Sequence, residues 1–155
     1  MTASQEMEWV LAGAGWARWR WSLEGETHQF GVSYTGQALE TLLDATADLR
    51  LGARFTYATL ESEPEGWRVF FAAAGEEVFV QVVQYPYMQD EFRWNDAVLL
   101  WAKRIDMRSF IEAVRGMMDD LLAKHGRDGY AREFGKPFPA DQYERLTGEG
   151  GHRES

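Results

Sequence analysis

The sequence contains no cysteine, so it can form neither a disulfide framework nor a metal site built on thiolates. It has no apolar run near the roughly 20 residues that cross a bilayer, because the longest runs, VFFAAAG and AVLLWA, are far shorter. The first residues, MTASQEMEW, lack the basic start and apolar core of a signal peptide. These absences predict a cytoplasmic protein with no membrane partner.

Basic residues are few relative to acidic ones, with 16 Lys and Arg against 25 Asp and Glu. The formal net charge of −9 repels a phosphate backbone, whose binding depends on Lys and Arg displacing counterions. We therefore expect no nucleic-acid partner. A negative field of this size favours encounter with a basic protein, although solubility alone also explains the charge.

Histidine is scarce, and its three positions, His28, His125 and His152, do not have the spacing of metal ligands. Adjacent acidic pairs such as Glu76–Glu77 fall in predicted turns or on helix surfaces, where neighbouring side chains diverge. No nucleophile, phosphate-binding or dinucleotide motif occurs. The sequence thus predicts no metal, no cofactor and no catalytic residue. It favours a protein that is not an enzyme, although a site assembled from distant residues stays open.

The residues that are present suffice for one globular domain. The 155 residues are 45% hydrophobic and 14% aromatic, a composition typical of a folded chain. A domain of this size buries about 68–70% of its unfolded surface and needs no cross-links. We predict a single domain over 1–155, ordered from about 8 to 146, with a frayed polar tail over 147–155.

The stretch GWARWRW opens a predicted β-hairpin whose turn lies at Gly25–Glu26. This turn sets Trp19 opposite Val32. Because side chains alternate along a strand, Trp19 and the tryptophan two residues later share the dry face. Arg18 and Arg20 then lie on the wet face.

The remaining elements follow from hydrophobic periodicity. Strands are predicted at 16–23, 28–34, 54–61, 67–74, 77–85 and 97–104, and helices at 37–51, from Asp106 to Gly126 and near the C-terminus. Thr35 and Asp106 are the predicted N-caps of the two main helices. The order β-β-α-β-β-β-β-α-α, with short links, predicts an α+β fold. We expect one antiparallel sheet of about six strands with two main helices packed on one face.

The candidate partner surface follows from the outward sides of the two predicted hairpins, over 16–34 and 67–85. A turn at Gly75–Glu76 places Val69, Phe71 and Val80 on a uniformly apolar face, which we assign to the core. The opposite face of a solvated sheet should be mostly polar, but here it carries aromatic residues. The predicted partner surface consists of Trp16, Arg18, Arg20, Phe70, Phe79 and Tyr85. Aromatic residues and arginine are typical of interfaces, and cover by the C-terminal segment is the alternative.

The C-terminal segment LLAKHGRDGYAREFGKPFPADQYERL combines an amphipathic helix, an H-G-x-x-G-Y turn and a P-F-P step. In this segment, and in its Trp-rich hairpin followed by a Leu-rich helix, the sequence resembles a loose group of small acidic bacterial α+β proteins. Most of that group is uncharacterised, and some members are suspected toxin-immunity proteins. The resemblance implies immunity by binding and blocking a toxin, and it assigns no residue role.

Three hypotheses about function stay open. The first is a non-catalytic cytoplasmic protein-binding domain, such as an immunity protein with a basic partner. The second is a small-molecule binder or enzyme, whose pocket between sheet and helices is lined by Met107, Met117, Trp94 and Trp101. The third is a structural homodimer formed through the outer sheet face.

Overall fold

Two antiparallel sheets and three helices make up the fold, and the computed structural model describes residues 5–87 and 96–148. The strands are β1 (Gln5–Gly13), β2 (Trp16–Leu23), β3 (Glu26–Ser33), β4 (Phe55–Glu61), β5 (Gly66–Ala74), β6 (Glu77–Tyr85) and β7 (Val98–Asp106), and the helices are α1 (Ala38–Arg50), α2 (Met107–Phe134) and α3 (Ala140–Thr147). The three-stranded sheet has the order β1-β2-β3, and the four-stranded sheet has the order β4-β5-β6-β7. The predicted α+β class is confirmed. The single six-stranded sheet is wrong, because a hydrophobic pattern shows which side of a strand is buried but not which layer covers it.

The first strand, β1, is absent from the sequence-based prediction. It pairs with β2 so that Trp9 lies directly opposite Trp19, and both are buried. The turn between them, Gly13–Ala14–Gly15, has positive φ at all three residues. The ring of Tyr34 packs on Gly15, where a Cβ would come within 2.6 Å of it. This turn therefore requires glycine for both its backbone conformation and its close contact.

The predicted register of β2 and β3 is wrong by two residues. Trp19 lies opposite Phe30, because the turn is formed by Glu24 and Gly25, both at positive φ. A shift of two residues keeps every side chain on its own face. Trp19 is therefore buried and Arg18 exposed, as the alternation predicts.

The core lies between the two sheets, whose inner faces are joined by aromatic contacts. The rings of Trp21 and Trp101 are 5.4 Å apart, and those of Phe30 and Trp67 are 5.3 Å apart. Phe110 of α2 adds a contact of 5.5 Å to Trp21. Since these inner faces meet, the outer faces of the two sheets point to opposite sides of the molecule.

The four-stranded sheet follows the predicted register between β5 and β6. Val69 lies opposite Val82, and the turn is at Gly75–Glu76. Val69, Phe71 and Val80 are fully buried, which confirms the assignment of this face to the core. β7 then pairs with β6 and is two residues longer at its C-terminal end than predicted.

The helix α1 covers the outer edge of β4. Thr41 anchors it, because its Oγ1 accepts a hydrogen bond from the backbone N–H of Thr59 at 3.0 Å and lies 3.0 Å from the carbonyl oxygen of the same residue. The predicted N-cap, Thr35, is wrong. Its hydroxyl lies 3.0 Å from that of Ser33, and Gln37 occupies the cap position without a side-chain hydrogen bond.

The helix α2 packs along β1 rather than beside α1 on a shared sheet face. Asp106 caps it as predicted, accepting a hydrogen bond from the backbone N–H of Ser109 at 2.9 Å. Gly126 is non-helical, at φ 70° and ψ 172°, and it ends the first helical segment of α2 as predicted. A second helical segment follows directly, up to Phe134, and buries Tyr130.

The helix α3 docks on α1 through charged contacts. Arg145 Nη2 donates to Asp48 Oδ1 at 2.7 Å, and Arg145 Nη1 lies 3.4 Å from Asp44 Oδ1. The carbonyl oxygen of Arg145 in turn accepts a hydrogen bond from Arg50 at 3.0 Å. The predicted frayed tail lies outside the described residues from 149 onward.

Candidate functional site

The outer face of the four-stranded sheet carries a regular array of twelve side chains, which we name the aromatic face. It consists of three cross-strand rows, Phe55–Ala72–Phe79–Arg104, Tyr57–Phe70–Gln81–Ala102 and Thr59–Arg68–Val83–Leu99. The rows exist because the alternate positions of β5 and β6 hold the valines and Phe71 that fill the core. Every second residue must then face outward.

The aromatic rings of this face are open to solvent. Phe55 is 59% exposed, Tyr57 48% and Phe79 36%, and Phe70 between them is half-buried. The ring of Phe70 lies 6.1 Å from that of Phe55 and 5.8 Å from that of Tyr57. A solvated sheet face should carry mainly polar side chains, and this face does not. Contiguous apolar exposure of this kind is typical of a contact surface.

The charges on the aromatic face are all positive. Among its twelve positions the charged residues are Arg68 and Arg104, and none is acidic. The guanidinium of Arg68 lies over two rings, 5.8 Å from the centroid of Tyr57 and 5.5 Å from that of Tyr85. Arg104 is exposed beside Phe79. Arginine and aromatic residues without acids form the composition that protein interfaces favour.

The six residues of the predicted partner surface do not form one surface. Phe70 and Phe79 lie on the aromatic face. Tyr85 points to the same side but is only 2% exposed, and burial raises the pKa of its hydroxyl. The other three, Trp16, Arg18 and Arg20, belong to the outer face of the three-stranded sheet, on the opposite side of the molecule.

That second outer face is mainly polar. Trp16 is 37% exposed, but its neighbours along β2 are Arg18 and Arg20. Arg20 forms an exposed ion pair with Glu8 of β1, at 3.5 Å. An isolated ring among solvated charges is ordinary surface and does not indicate a contact site.

Phe55 and Tyr57 are the two exposed aromatic residues of this face that sequence reasoning missed. Their strand buries the small or polar side chains of Thr56 and Ala58 and exposes its rings. Hydrophobicity alone would assign the rings to the core. The signal that could have found them is the pairing of β4 with β5, which sets Tyr57 beside Phe70.

Of the residues predicted to line a small-molecule pocket, Met117 and Met107 lie in two different clefts. Met117 lines a cleft of about 360 Å³ beside β1, and Met107 lines another of about 700 Å³ near the start of α2. Trp101 packs between the rings of Trp21 and His28. Trp94 lies outside the described residues.

The two described histidines each contact a neighbouring side chain, which gives them a structural role. His28 stacks on Trp101 at 4.5 Å, and burial lowers its pKa. His125 Nδ1 lies 3.1 Å from Glu133 Oε2 across the kink in α2. His152 lies outside the described residues. Within residues 5–87 and 96–148, no three His, Cys, Asp or Glu side chains are placed to hold a metal ion.

In the described part of the chain, no helix combines the length and the apolar character needed to cross a membrane. No protein-family model matches the sequence, and neither the curated proteins nor the solved structures contain a match to it. The resemblance to small acidic bacterial proteins stays a prediction.

Proposed function

We propose that this protein is a non-catalytic protein-binding domain and that the aromatic face is its contact surface. One observation carries the proposal: Phe55, Tyr57 and Phe79 are exposed within the twelve neighbouring positions of the aromatic face, among which none is acidic. Aromatic side chains in such a position have a large apolar area to remove from water, and full burial of one is worth about 1.5–3 kcal/mol.

The size of the face indicates how far a partner must extend. Four strands about 4.8 Å apart and three rows about 6.8 Å apart give a footprint of roughly 400 Å². A stable interface buries about 800 Å² on each partner. The partner must therefore also contact the ends or the β7 edge of the sheet, where Val98 and Leu100 are exposed.

The proposal also covers the cellular compartment of the protein and what its binding does to the partner. We propose that the protein acts in the cytoplasm and blocks a toxin by occupying its surface. The acidic charge and the resemblance of the C-terminal segment support this role.

A matched pair of variants tests the contact surface. Phe79→Ser removes a ring that is 36% exposed on the aromatic face, and Trp16→Ser removes one that is 37% exposed on the opposite side. In affinity capture from cells of the source organism, we expect a stoichiometric partner with the wild type and with Trp16→Ser. We expect it to be lost with Phe79→Ser. Thermal unfolding of both variants checks that each is folded.

Two results would contradict the proposal. One is the absence of any stoichiometric protein partner in the wild-type capture. The other is equal capture by Phe79→Ser and the wild type, which would place the contact elsewhere.

A further inference from the structure

We propose that the partner adds an extended strand to the edge of β7, where its main chain pairs with Ala102 and Arg104. This inference rests on the proposed function and names how the partner binds and which side chains it brings. It also supplies contact area, because the aromatic face alone provides roughly half of the 800 Å² that a stable interface buries on each partner.

Two sheet edges border the aromatic face, and α1 covers the one formed by β4. There Thr41 Oγ1 accepts a hydrogen bond from the N–H of Thr59 and donates one to its carbonyl oxygen, both at 3.0 Å. The other edge is β7. Within residues 5–87 and 96–148, no strand pairs with the side of β7 that points away from β6. We name this side the open edge.

The backbone groups at the open edge follow from the hydrogen bonds between β6 and β7, which involve every second residue of each strand. The N–H of Met107 donates to the carbonyl oxygen of Glu76 at 2.9 Å, so Lys103 and the other odd-numbered residues of β7 bond to β6. Ala102 and Arg104 therefore direct their N–H and C=O groups to the open edge. In the described part of the chain, no hydrogen bond satisfies these four groups.

The open edge is short and has defined ends. A β-bulge between Leu99 and Trp101 interrupts it on one side. On the other side, Gln5 Nε2 donates to the carbonyl oxygen of Asp106 at 3.4 Å. A partner strand therefore has room for two directly bonded residue pairs between these ends, and the two pairs fix its register.

Lys103 lies between the two pairing residues and points to the inner side of the sheet. A lysine on an edge strand commonly discourages pairing with another strand. Here its Nζ lies 2.6 Å from Glu24 Oε1, so its charge is already compensated. A small polar residue such as threonine can then lie opposite Lys103.

The outward side chains of an added strand would continue two rows of the aromatic face. An aromatic ring opposite Arg104 meets a guanidinium, an arrangement that Arg68 and Tyr57 already adopt on this face at 5.8 Å. Opposite Ala102, whose side chain is small, a larger aliphatic side chain gains apolar contact. In an antiparallel strand the order is then aromatic, polar, aliphatic.

An acidic side chain is disfavoured opposite Arg104. The next outward row of the sheet contains Glu77 directly opposite Asp106. A third carboxylate beside this pair would be repelled by both. The outward side of the partner strand is therefore expected to be apolar rather than acidic.

A second copy of β7 fits the open edge poorly. The register in which Ala102 of each copy bonds to Arg104 of the other sets two Lys103 side chains directly opposite each other, which is destabilising. Two formal charges of −9 also repel at long range. A strand of different sequence avoids both costs.

The test titrates the full chain with the peptide Thr-Thr-Phe-Thr-Val-Thr-Thr and follows it by NMR. The amides of Ala102 and Arg104 should exchange rapidly in the free chain and become protected by the peptide. The amide of Lys103, which bonds to β6, should be protected in both states. A nuclear Overhauser effect between the Hα atoms of Lys103 and the central threonine would confirm the register.

Two N-methylated peptides separate main-chain pairing from side-chain contact. Methylation at Phe and Val removes the two N–H groups that face β7, and we expect affinity to fall about tenfold or more. Methylation at the two threonines that flank this Phe-Thr-Val segment removes no such donor toward β7 in the first case and serves as the matched control. Its affinity should stay within about twofold of the parent peptide.

Two proline variants make the corresponding change in the protein. Ala102→Pro removes an N–H at the open edge without removing a bond to β6, and we expect about tenfold weaker binding. Gln29→Pro is the control on the edge of β3, where the bond from the N–H of Tyr34 to the carbonyl oxygen of Gly15 leaves the N–H of Gln29 facing outward. It should bind as the wild type does. Amide spectra show whether each variant is folded, and the peptide pair tests the wild type in any case.

Each other outcome overturns the inference. Equal weakening by the two methylated peptides refutes main-chain pairing at the open edge. Binding that is lost in Phe79→Ser but unchanged in Ala102→Pro refutes the added strand and leaves the proposed function standing. Protection of Ala102 that rises with protein concentration without peptide shows a second copy as the occupant. If the peptide does not bind, the added strand is refuted, and the capture experiment with Phe79→Ser decides the proposed function separately.

Discussion

Truncating Phe110 to alanine tests whether α2 joins the two sheets through this ring. Phe110 is fully buried, and its ring lies 5.5 Å from Trp21 of the three-stranded sheet and 5.0 Å from Phe71 of the four-stranded sheet. Buried Phe→Ala changes cost about 3–5 kcal/mol, because apolar area is lost and a cavity is left. Two aromatic pairs broken at once place the expected loss in the upper half of that range.

Urea unfolding followed by tryptophan fluorescence measures this loss. For a chain of this size, each kcal/mol corresponds to about 2–4 °C, so the melting temperature should also fall by roughly 8–20 °C. Phe79→Ala is the matched control, because the same residue type is removed from a partly exposed position. Its loss should be about 1 kcal/mol or less. Phe110→Leu, which keeps most of the volume, should lose about 1.5 kcal/mol.

The result that would refute this reasoning is a loss in Phe110→Ala no larger than that in Phe79→Ala. The ring would then not be packed between the sheets. A large loss in Phe110→Ala together with an equally large loss in Phe110→Leu would show that ring shape, rather than volume, decides the packing there.

Three further predictions concern a histidine, a helix anchor and an ion pair. Because burial lowers the pKa of His28 below the ordinary histidine value of 6.5, protonation favours the unfolded chain. The free energy of unfolding should therefore fall as the pH drops below 6.5, and His28→Gln should flatten this fall in urea titrations. Thr41→Val should cost about 1–3 kcal/mol and speed hydrogen exchange at the amide of Thr59, whose backbone groups lose their partner. Arg145→Ala should cost less than about 1 kcal/mol in urea unfolding, and the loss should shrink in high salt, since its bonds to Asp48 and Asp44 are largely exposed.

The parts of the fold that could be predicted from the sequence are those that local alternation determines. The pairing of Val69 with Val82 follows from a two-residue turn between two alternating strands. The buried side of Trp19 was predicted even though its partner is Phe30 rather than Val32. Turn geometry sets register, and a Glu24–Gly25 turn could not be told from Gly25–Glu26 by composition alone.

The division into two sheets could not be predicted in this way. Burial of Trp21 is equally compatible with cover by a helix and with cover by another sheet. The structure shows that both cover it, because the rings of Trp101 of the second sheet and Phe110 of α2 pack against Trp21. The same limit explains why the predicted partner surface combined residues from different sides of the molecule. Alternation placed Phe70 and Phe79 on an outer face, but it could not show that Trp16 lies on the other side of the molecule or that Tyr85 is buried.

The strand β7 passes into α2 without a connecting loop, since Asp106 is both the last residue of the strand and the cap of the helix. One residue inserted at this joint would either slip the strand, reversing its two faces, or turn the helix by about 100° about its axis. Either change would misplace Ile105 or Phe110, which are both buried. The rotation of the helix about its axis and the register of the strand therefore cannot change independently. Length changes should be tolerated at the Gly75–Glu76 turn but not here.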